Sequence, residues 1–124
     1  MVAACLRNAA AVAGFCRSQG GPISVIACGE RWPDGTLRPA WEDLVGAGAV
    51  IACLRSFNSR SPEAQAASAA FEQARGNLGR LLDECSSGRE LVERGFAADV
   101  EAAAALDVVA CVPILTEGAF VAHA

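Results

Sequence analysis

The chain contains no tyrosine and a single histidine, His123, beside the last residue. A mechanism built on an imidazole base is therefore poorly served. The G-x-S-x-G elbow is absent too, so a Ser-His-Asp hydrolase lacks both its nucleophile geometry and its base. Six cysteines are present (Cys5, Cys16, Cys28, Cys53, Cys85 and Cys111), but no C-x-x-C pair gives the spacing of a zinc site. Most sit in apolar stretches such as Val25-Ile26-Ala27-Cys28 and read as reduced thiols that fill space. Cys85 and Arg89 have only three residues between them, fewer than a cysteine-dependent phosphatase loop requires. Charge is sparse, at 19% of residues with a net of −4, and no Lys/Arg cluster offers a footing for a phosphate backbone, which excludes nucleic acid. No apolar run approaches the roughly 20 residues that span a bilayer, and Met1–Arg7 is too short for a signal peptide, so no membrane partner and a cytoplasmic location are expected.

What is there suits a buried core. Hydrophobic residues make up 53% of 124 positions, a size that fits one domain, 1–124. Short apolar runs alternate with alanine-rich segments of helical spacing, which predicts an α/β fold, a layered sheet flanked by helices. Val2–Leu6 reads as a strand. Asn8 then caps a helix to about Arg17, and Gly20-Gly21-Pro22 breaks the chain before a strand over Ile23–Cys28, completing a βαβ unit. A polar loop from Gly29 to Arg38 carries the turn signal Pro33-Asp34-Gly35. Trp41, Leu44, Val45, Gly48, Ile51 and Ala52 then share one face of a helix. Phe57–Arg60 reads as a loop. Ser61-Pro62 starts a helix reaching Arg75, Gly76 separates a helical piece over Leu78–Leu82, and Ser87-Gly88-Arg89-Glu90 has the capping-box pattern, with Gly95 as the stop. Asp99 caps or joins the next helix, to about Leu106. A buried strand over Val108–Leu115, interrupted by Pro113, turns at Thr116-Glu117-Gly118 into Ala119–Ala122.

With histidine and serine-triad chemistry set aside, carboxylates remain. Glu30, Glu42, Asp43, Glu90 and Asp99 all fall at or near predicted loop-to-helix junctions. Hard oxygen ligands of this kind suit Mg²⁺ or Ca²⁺, and magnesium commonly takes one or two protein carboxylates plus substrate phosphate oxygens. Acidic residues in a first helical turn equally complement the helix dipole, so Glu42, Asp43 and Glu90 have a structural reading beside the functional one. Ser86-Ser87-Gly88 at a helix start can hold a phosphate on free N–H groups or simply cap the helix. Arg38 and Arg89 can bind an anion or be solvated surface. Glu30 follows a predicted strand across Gly29, at the strand end where open α/β sheets place ligands.

The ordered pieces Leu6-Arg7-Asn8-Ala9, Ala27-Cys28-Gly29-Glu30, Glu42-Asp43-Leu44-Val45-Gly46-Ala47-Gly48, Ser86-Ser87-Gly88-Arg89-Glu90-Leu91, Gly95-Phe96-Ala97-Ala98-Asp99 and Val112-Pro113 together resemble the 2-phosphosulfolactate phosphatase (ComB-like) family. The resemblance implies a magnesium-dependent phosphatase that removes phosphate from 2-phospho-3-sulfolactate, or from a related phosphorylated 2-hydroxy acid, on the route to coenzyme M. It implies Glu42 and Asp43 as catalytic residues, with Glu30 and Asp99 joining them as Mg²⁺ ligands. Ser86, Ser87, Gly88, Arg89, Arg38 and Asn8 would bind the small anionic ester. Asn8 and Asp99 are equally placed to act as plain helix caps. Family members are about twice this long, and the Asp-x-x-Arg-Ala-Thr-like and Thr-Asn-Gly-Thr-like motifs of their first half are missing. The chain is therefore expected to be the C-terminal half of the family fold, from a truncated gene, a misplaced start codon or a split protein. A homo-oligomer, or a partnership with a separately encoded N-terminal half, is expected, because a bare apolar face is unfavourable in a monomer. The competing expectation is a non-catalytic half-domain whose role is that association.

Overall fold

A computed structural model describes residues 1–54 and 60–123. The predicted loop residues Phe57–Ser59 lie outside them. Among the described residues six α-helices carry most of the fold: α1 (Ala9–Gln19), α2 (Trp41–Cys53), α3 (Pro62–Ala74), α4 (Leu78–Glu84), α5 (Ser86–Glu93) and α6 (Ala97–Ala104). Two hairpins complete it, β1 (Glu30–Arg31) with β2 (Leu37–Arg38) and β3 (Val112–Thr116) with β4 (Ala119–His123).

Helix α2 is the centre because it is apolar on nearly every side. Val45, Gly48, Ala49, Val50, Ile51 and Ala52 are all buried, the pattern of a helix enclosed by neighbours. Around it gather Leu6, Ala9 and Ala13 from the start of the chain, Phe71 and Ala74 of α3, Leu78 and Leu82 of α4, and Val100 of α6. Each large aliphatic side chain removed from water in this cluster contributes on the order of 1.5–3 kcal/mol. Helices α2 and α3 pack so closely that a Cβ on Gly48 would lie 2.1 Å from the Ala67 carbonyl oxygen.

The helix ends follow the sequence in part. Ser61 caps α3 through its Oγ, which accepts from the Ala64 N–H at 3.3 Å, with Pro62 in the first position. Gly95, with φ of +89°, ends α5; its N–H donates to the Val92 carbonyl and that of Phe96 to Leu91, the paired bonds of a Schellman ending. Arg60 reaches from just before α3 to the Ile51 carbonyl at 2.9 Å, satisfying an acceptor in the last turn of α2. Two caps differ from expectation. Asn8 does not cap α1 with its side chain: it is buried, accepts from the Cys5 N–H at 2.8 Å and donates to the Cys111 carbonyl at 3.1 Å. The free N–H of Ala10 is met by Asp107 from the far end of the chain, at 2.7 Å. Helix α5 begins at Ser86, with Cys85 as N-cap, so Ser87 lies inside the first turn and the predicted capping box is displaced.

The mixed α/β composition is as expected, but the sheet is not layered. Both sheets among the described residues are two-stranded and antiparallel. Val2–Leu6 contributes one antiparallel bridge, Val2 to Ile114, before a 3₁₀ turn takes over at Leu6. Ile23–Cys28 pairs with no strand among the described residues, so the βαβ unit does not close. The predicted Gly29–Arg38 loop is instead a hairpin, with Glu30 opposite Arg38. Its turn follows from Asp34, whose carboxylate accepts from the Thr36 N–H and hydroxyl. The last strand starts at Val112, four residues later than predicted, and turns through Glu117-Gly118 into β4, both turn residues having positive φ.

Candidate functional site

The β1–β2 hairpin, the start of α2 and the start of α5 meet at a cleft of about 90 Å³, room for roughly three waters, with Glu30, Arg38, Trp41, Glu42, Ser86 and Ser87 in its wall. Gly29 sets the geometry: its φ of +69° turns the chain into the hairpin, and a side chain there would meet Leu37 and the Arg38 carbonyl at about 3 Å. Its N–H donates to Asp43 Oδ2 at 2.6 Å. The hairpin is thereby pinned to the first turn of α2.

Arg38 is the hub. Its side chain is only 14% exposed, and its guanidinium donates to both oxygens of Glu90, at 2.7 and 3.0 Å, while Nη1 lies 3.3 Å from Glu30. The guanidinium carbon also stands 4.8 Å from the Trp32 ring centre, a cation–π contact. Charge-assisted hydrogen bonding from Arg38 holds the Glu90 carboxyl below its ordinary value, and the same bond raises Arg38. On the other wall, Glu42 accepts a short hydrogen bond from the Ser87 hydroxyl and a long one, 3.8 Å, from the Cys85 thiol. The Cys85 sulfur in turn accepts the Gly88 N–H at 3.4 Å, and Gly88 packs so tightly that a Cβ would lie 1.7 Å from the Leu82 carbonyl oxygen. The α4–α5 corner is thus fixed by Gly88, and it fixes Ser86 and Ser87 at the cleft.

The 2-phosphosulpholactate phosphatase family matches the sequence over residues 1–118. This chain belongs to that family. A relative from Gloeobacter violaceus, named a probable 2-phosphosulfolactate phosphatase, is 34% identical over 113 residues, which are 91% of this chain and 45% of the relative. The chain therefore spans about half the length of the curated relative it matches. No solved structure matches it. Every wall residue of the cleft lies within the stretch that matches the 2-phosphosulpholactate phosphatase family.

The residues singled out from the sequence divide into two groups. Glu30, Arg38, Glu42, Ser86 and Ser87 come together at the cleft, and Asp43 stands behind it as the anchor of Gly29. Gly88 belongs to the supporting corner, its N–H spent on Cys85 rather than offered to an anion. Asn8, Arg89 and Asp99 are elsewhere. Asn8 ties Cys5 to Cys111 in the interior; Arg89 borders a wider, shallow depression with Asp83 and Glu93; Asp99 sits exposed in the first turn of α6. Glu90 and Trp32 join the Arg38 cluster although neither is among the site residues expected from the sequence. Glu90 had a legible signal: it stands three and four residues beyond Ser87 and Ser86, on the same face of α5. Cys85, read as packing, is the cap of that helix.

Magnesium is implied by the family resemblance, and the donor set has the right hard oxygens, but the arrangement does not fit. Among the described residues no three potential ligands converge. Glu30 and Glu90 are paired with Arg38, Glu42 with Ser87, and Asp43 with Gly29. Among the described residues, these carboxylates do not by themselves form a magnesium site.

Proposed function

We propose that this chain carries one wall of a phosphatase site acting on 2-phospho-3-sulfolactate or a closely related phosphorylated 2-hydroxy acid. One observation carries the reading: a guanidinium and two serines of a helix start face a cleft of oxyanion size, within a chain that belongs to this family. The planar fork of Arg38, now holding both oxygens of Glu90, has the geometry to hold two phosphoryl or sulfonate oxygens, and exchanging one for the other costs little reach. The Ser86 and Ser87 hydroxyls add donors at the positive end of α5.

Glu42 is the candidate base. Its carboxylate already accepts a proton-bearing oxygen, Ser87 Oγ, and a water in that position would be held the same way. In the step, the water oxygen bonds to phosphorus as the ester P–O bond breaks. The water proton passes to Glu42, and the departing alkoxide takes a proton from solvent. Glu30 and Glu90 orient Arg38, and Asp43 positions Glu30 through Gly29. Three carboxylates around one guanidinium leave the cleft net negative, unfavourable for a phosphate dianion on its own. Magnesium belongs to this reading with further ligands drawn from the part of the family's length that this chain does not span.

A second reading is favoured by the exposed apolar side chains Ile26, Val108, Phe120 and Val121: the chain is a half-domain that works only when covered. Phosphate release from the substrate, with and without Mg²⁺, tests the two. Release that falls on Arg38→Gln and Glu42→Gln supports the phosphatase reading for the chain alone; no release under any condition favours the half-domain.

A further inference from the structure

The segment Ile23–Cys28 has the residues of a strand and the burial of a strand, without a sheet. Ile23 and Val25 pack against the hydrophobic core while Ser24 and Ile26 face outward, the two-residue period of a half-buried strand. Among the described residues none of its main-chain N–H groups donates to another main-chain carbonyl, and the one hydrogen bond recorded on it is a long contact from the Cys28 thiol to the Ile26 carbonyl. Ile26 is 76% exposed. A run of six β-prone and small residues whose main-chain groups find no main-chain partner among the described residues is a template for pairing, and native proteins rarely leave one bare.

Two observations say what covers it. The chain spans 45% of the relative it matches, so a family member of that length has more than half its residues available to lie against this surface. The segment also runs straight through Gly29 into Glu30, the residue that joins Arg38 in the cleft wall, so a strand laid beside it delivers its own residues to the rim of a site whose carboxylates outnumber its one guanidinium. We propose that Ile23–Cys28 is an open sheet edge on which an extended segment from the remaining part of a full-length family member pairs, at the rim of the Glu30–Arg38 cleft. It rests on the half-domain reading above and adds the surface and the mode of contact, which is main-chain pairing of the β-augmentation kind.

The test co-expresses the tagged chain with the part of the Gloeobacter violaceus relative that lies outside the 113 aligned residues, and follows co-purification and amide exchange. The expected result is a stable complex in which the Ser24–Cys28 amides exchange at least about tenfold more slowly than in the chain alone. Successive N–H groups of a strand point to opposite edges, so Ile26→Pro and Ala27→Pro each remove one donor from a different side. Both positions are exposed, and thermal unfolding of each lone variant should match wild type. One of the two is expected to weaken the complex by at least about tenfold. The proposal is overturned if no complex forms, if it forms without protecting Ser24–Cys28, or if both proline variants bind like wild type. Protection of these amides in a dimer of the chain alone overturns the choice of occupant in favour of a second copy. A protected complex that releases no phosphate upholds the pairing and counts against the phosphatase reading alone.

Discussion

Arg38, in the cleft wall, and Glu90, fifty-two positions further on, hold each other through two parallel hydrogen bonds of 2.7 and 3.0 Å. The pair joins the β1–β2 hairpin to α5, and the strength of that joint depends on the charge of both partners.

The first consequence is a pH dependence. Glu90 is held below its ordinary value of 4.5 chiefly by the hydrogen bond from Arg38, so the carboxylate form is favoured in the folded state. A depressed carboxyl contributes stability that is fully present above the unfolded value and fades as pH falls through the lower folded value. The window therefore lies below about pH 4.5, and the effect is small because Glu90 is 54% exposed and solvent screens the pair. In a side-chain carboxyl NMR titration, the Glu90 midpoint should lie below its ordinary value in wild type and rise toward it in Arg38→Gln. An unchanged Glu90 midpoint in the variant contradicts the pairing.

Two glycines of α2, two residues apart, should respond with opposite signs. A Cβ on Gly46 meets nothing within 4 Å, so Gly46→Ala removes backbone entropy from the unfolded chain and stabilises by about 0.5–1 kcal/mol. A Cβ on Gly48 meets the Ala67 carbonyl at 2.1 Å, so Gly48→Ala must push α3 away and costs on the order of 1–3 kcal/mol. Denaturant midpoints decide; two shifts of the same sign contradict the close α2–α3 approach.

The start of α5 rests on a sulfur cap. Cys85→Ala removes the acceptor of the Gly88 N–H and should lower stability by about 0.5–1 kcal/mol, while Cys85→Ser, which keeps an acceptor oxygen, should hold it. If alanine is as stable as wild type by thermal unfolding, Cys85 is packing after all.

How legible all this was in the sequence depended on range. Ser61-Pro62, Gly95 and the Pro33-Asp34-Gly35 turn are local chemistry, and each is found where its residue type predicts. The apolar spacing of Trp41–Ala52 likewise gave the central helix. The sheet was misread because Ile23–Cys28 and Val108–Cys111 have strand composition, and composition does not say whether a partner strand is present. Five cleft residues were legible because they flank turns and helix starts. Asn8, Arg89 and Asp99 were assigned by motif order, and only the packing shows that Asn8 faces the interior and that the other two line different surfaces. The Asp107–Ala10 cap and the Arg38–Glu90 pair join residues 97 and 52 positions apart, beyond any local pattern.

Asp43 separates a positioning role from a metal-ligand role. Its oxygen accepts the Gly29 N–H at 2.6 Å, and an asparagine can still accept through its side-chain oxygen. Asp43→Asn should keep the Gly29 amide protected from exchange, and Asp43→Ala should expose it. Loss of protection in both variants would show that the negative charge, not the acceptor, holds the hairpin.

The most direct measurement is a titration of the ¹⁵N-labelled chain with the phosphorylated 2-hydroxy acid, following backbone amides and the Arg38 Nε–H, in wild type and Arg38→Gln. Shifts centred on Arg38, Glu42, Ser86 and Ser87, with binding weakened at least about tenfold in Arg38→Gln, are the expected result. Shifts centred instead on the Asp83–Arg89–Glu93 depression, or equal binding by both proteins, would contradict the assignment of the cleft as the phosphate site.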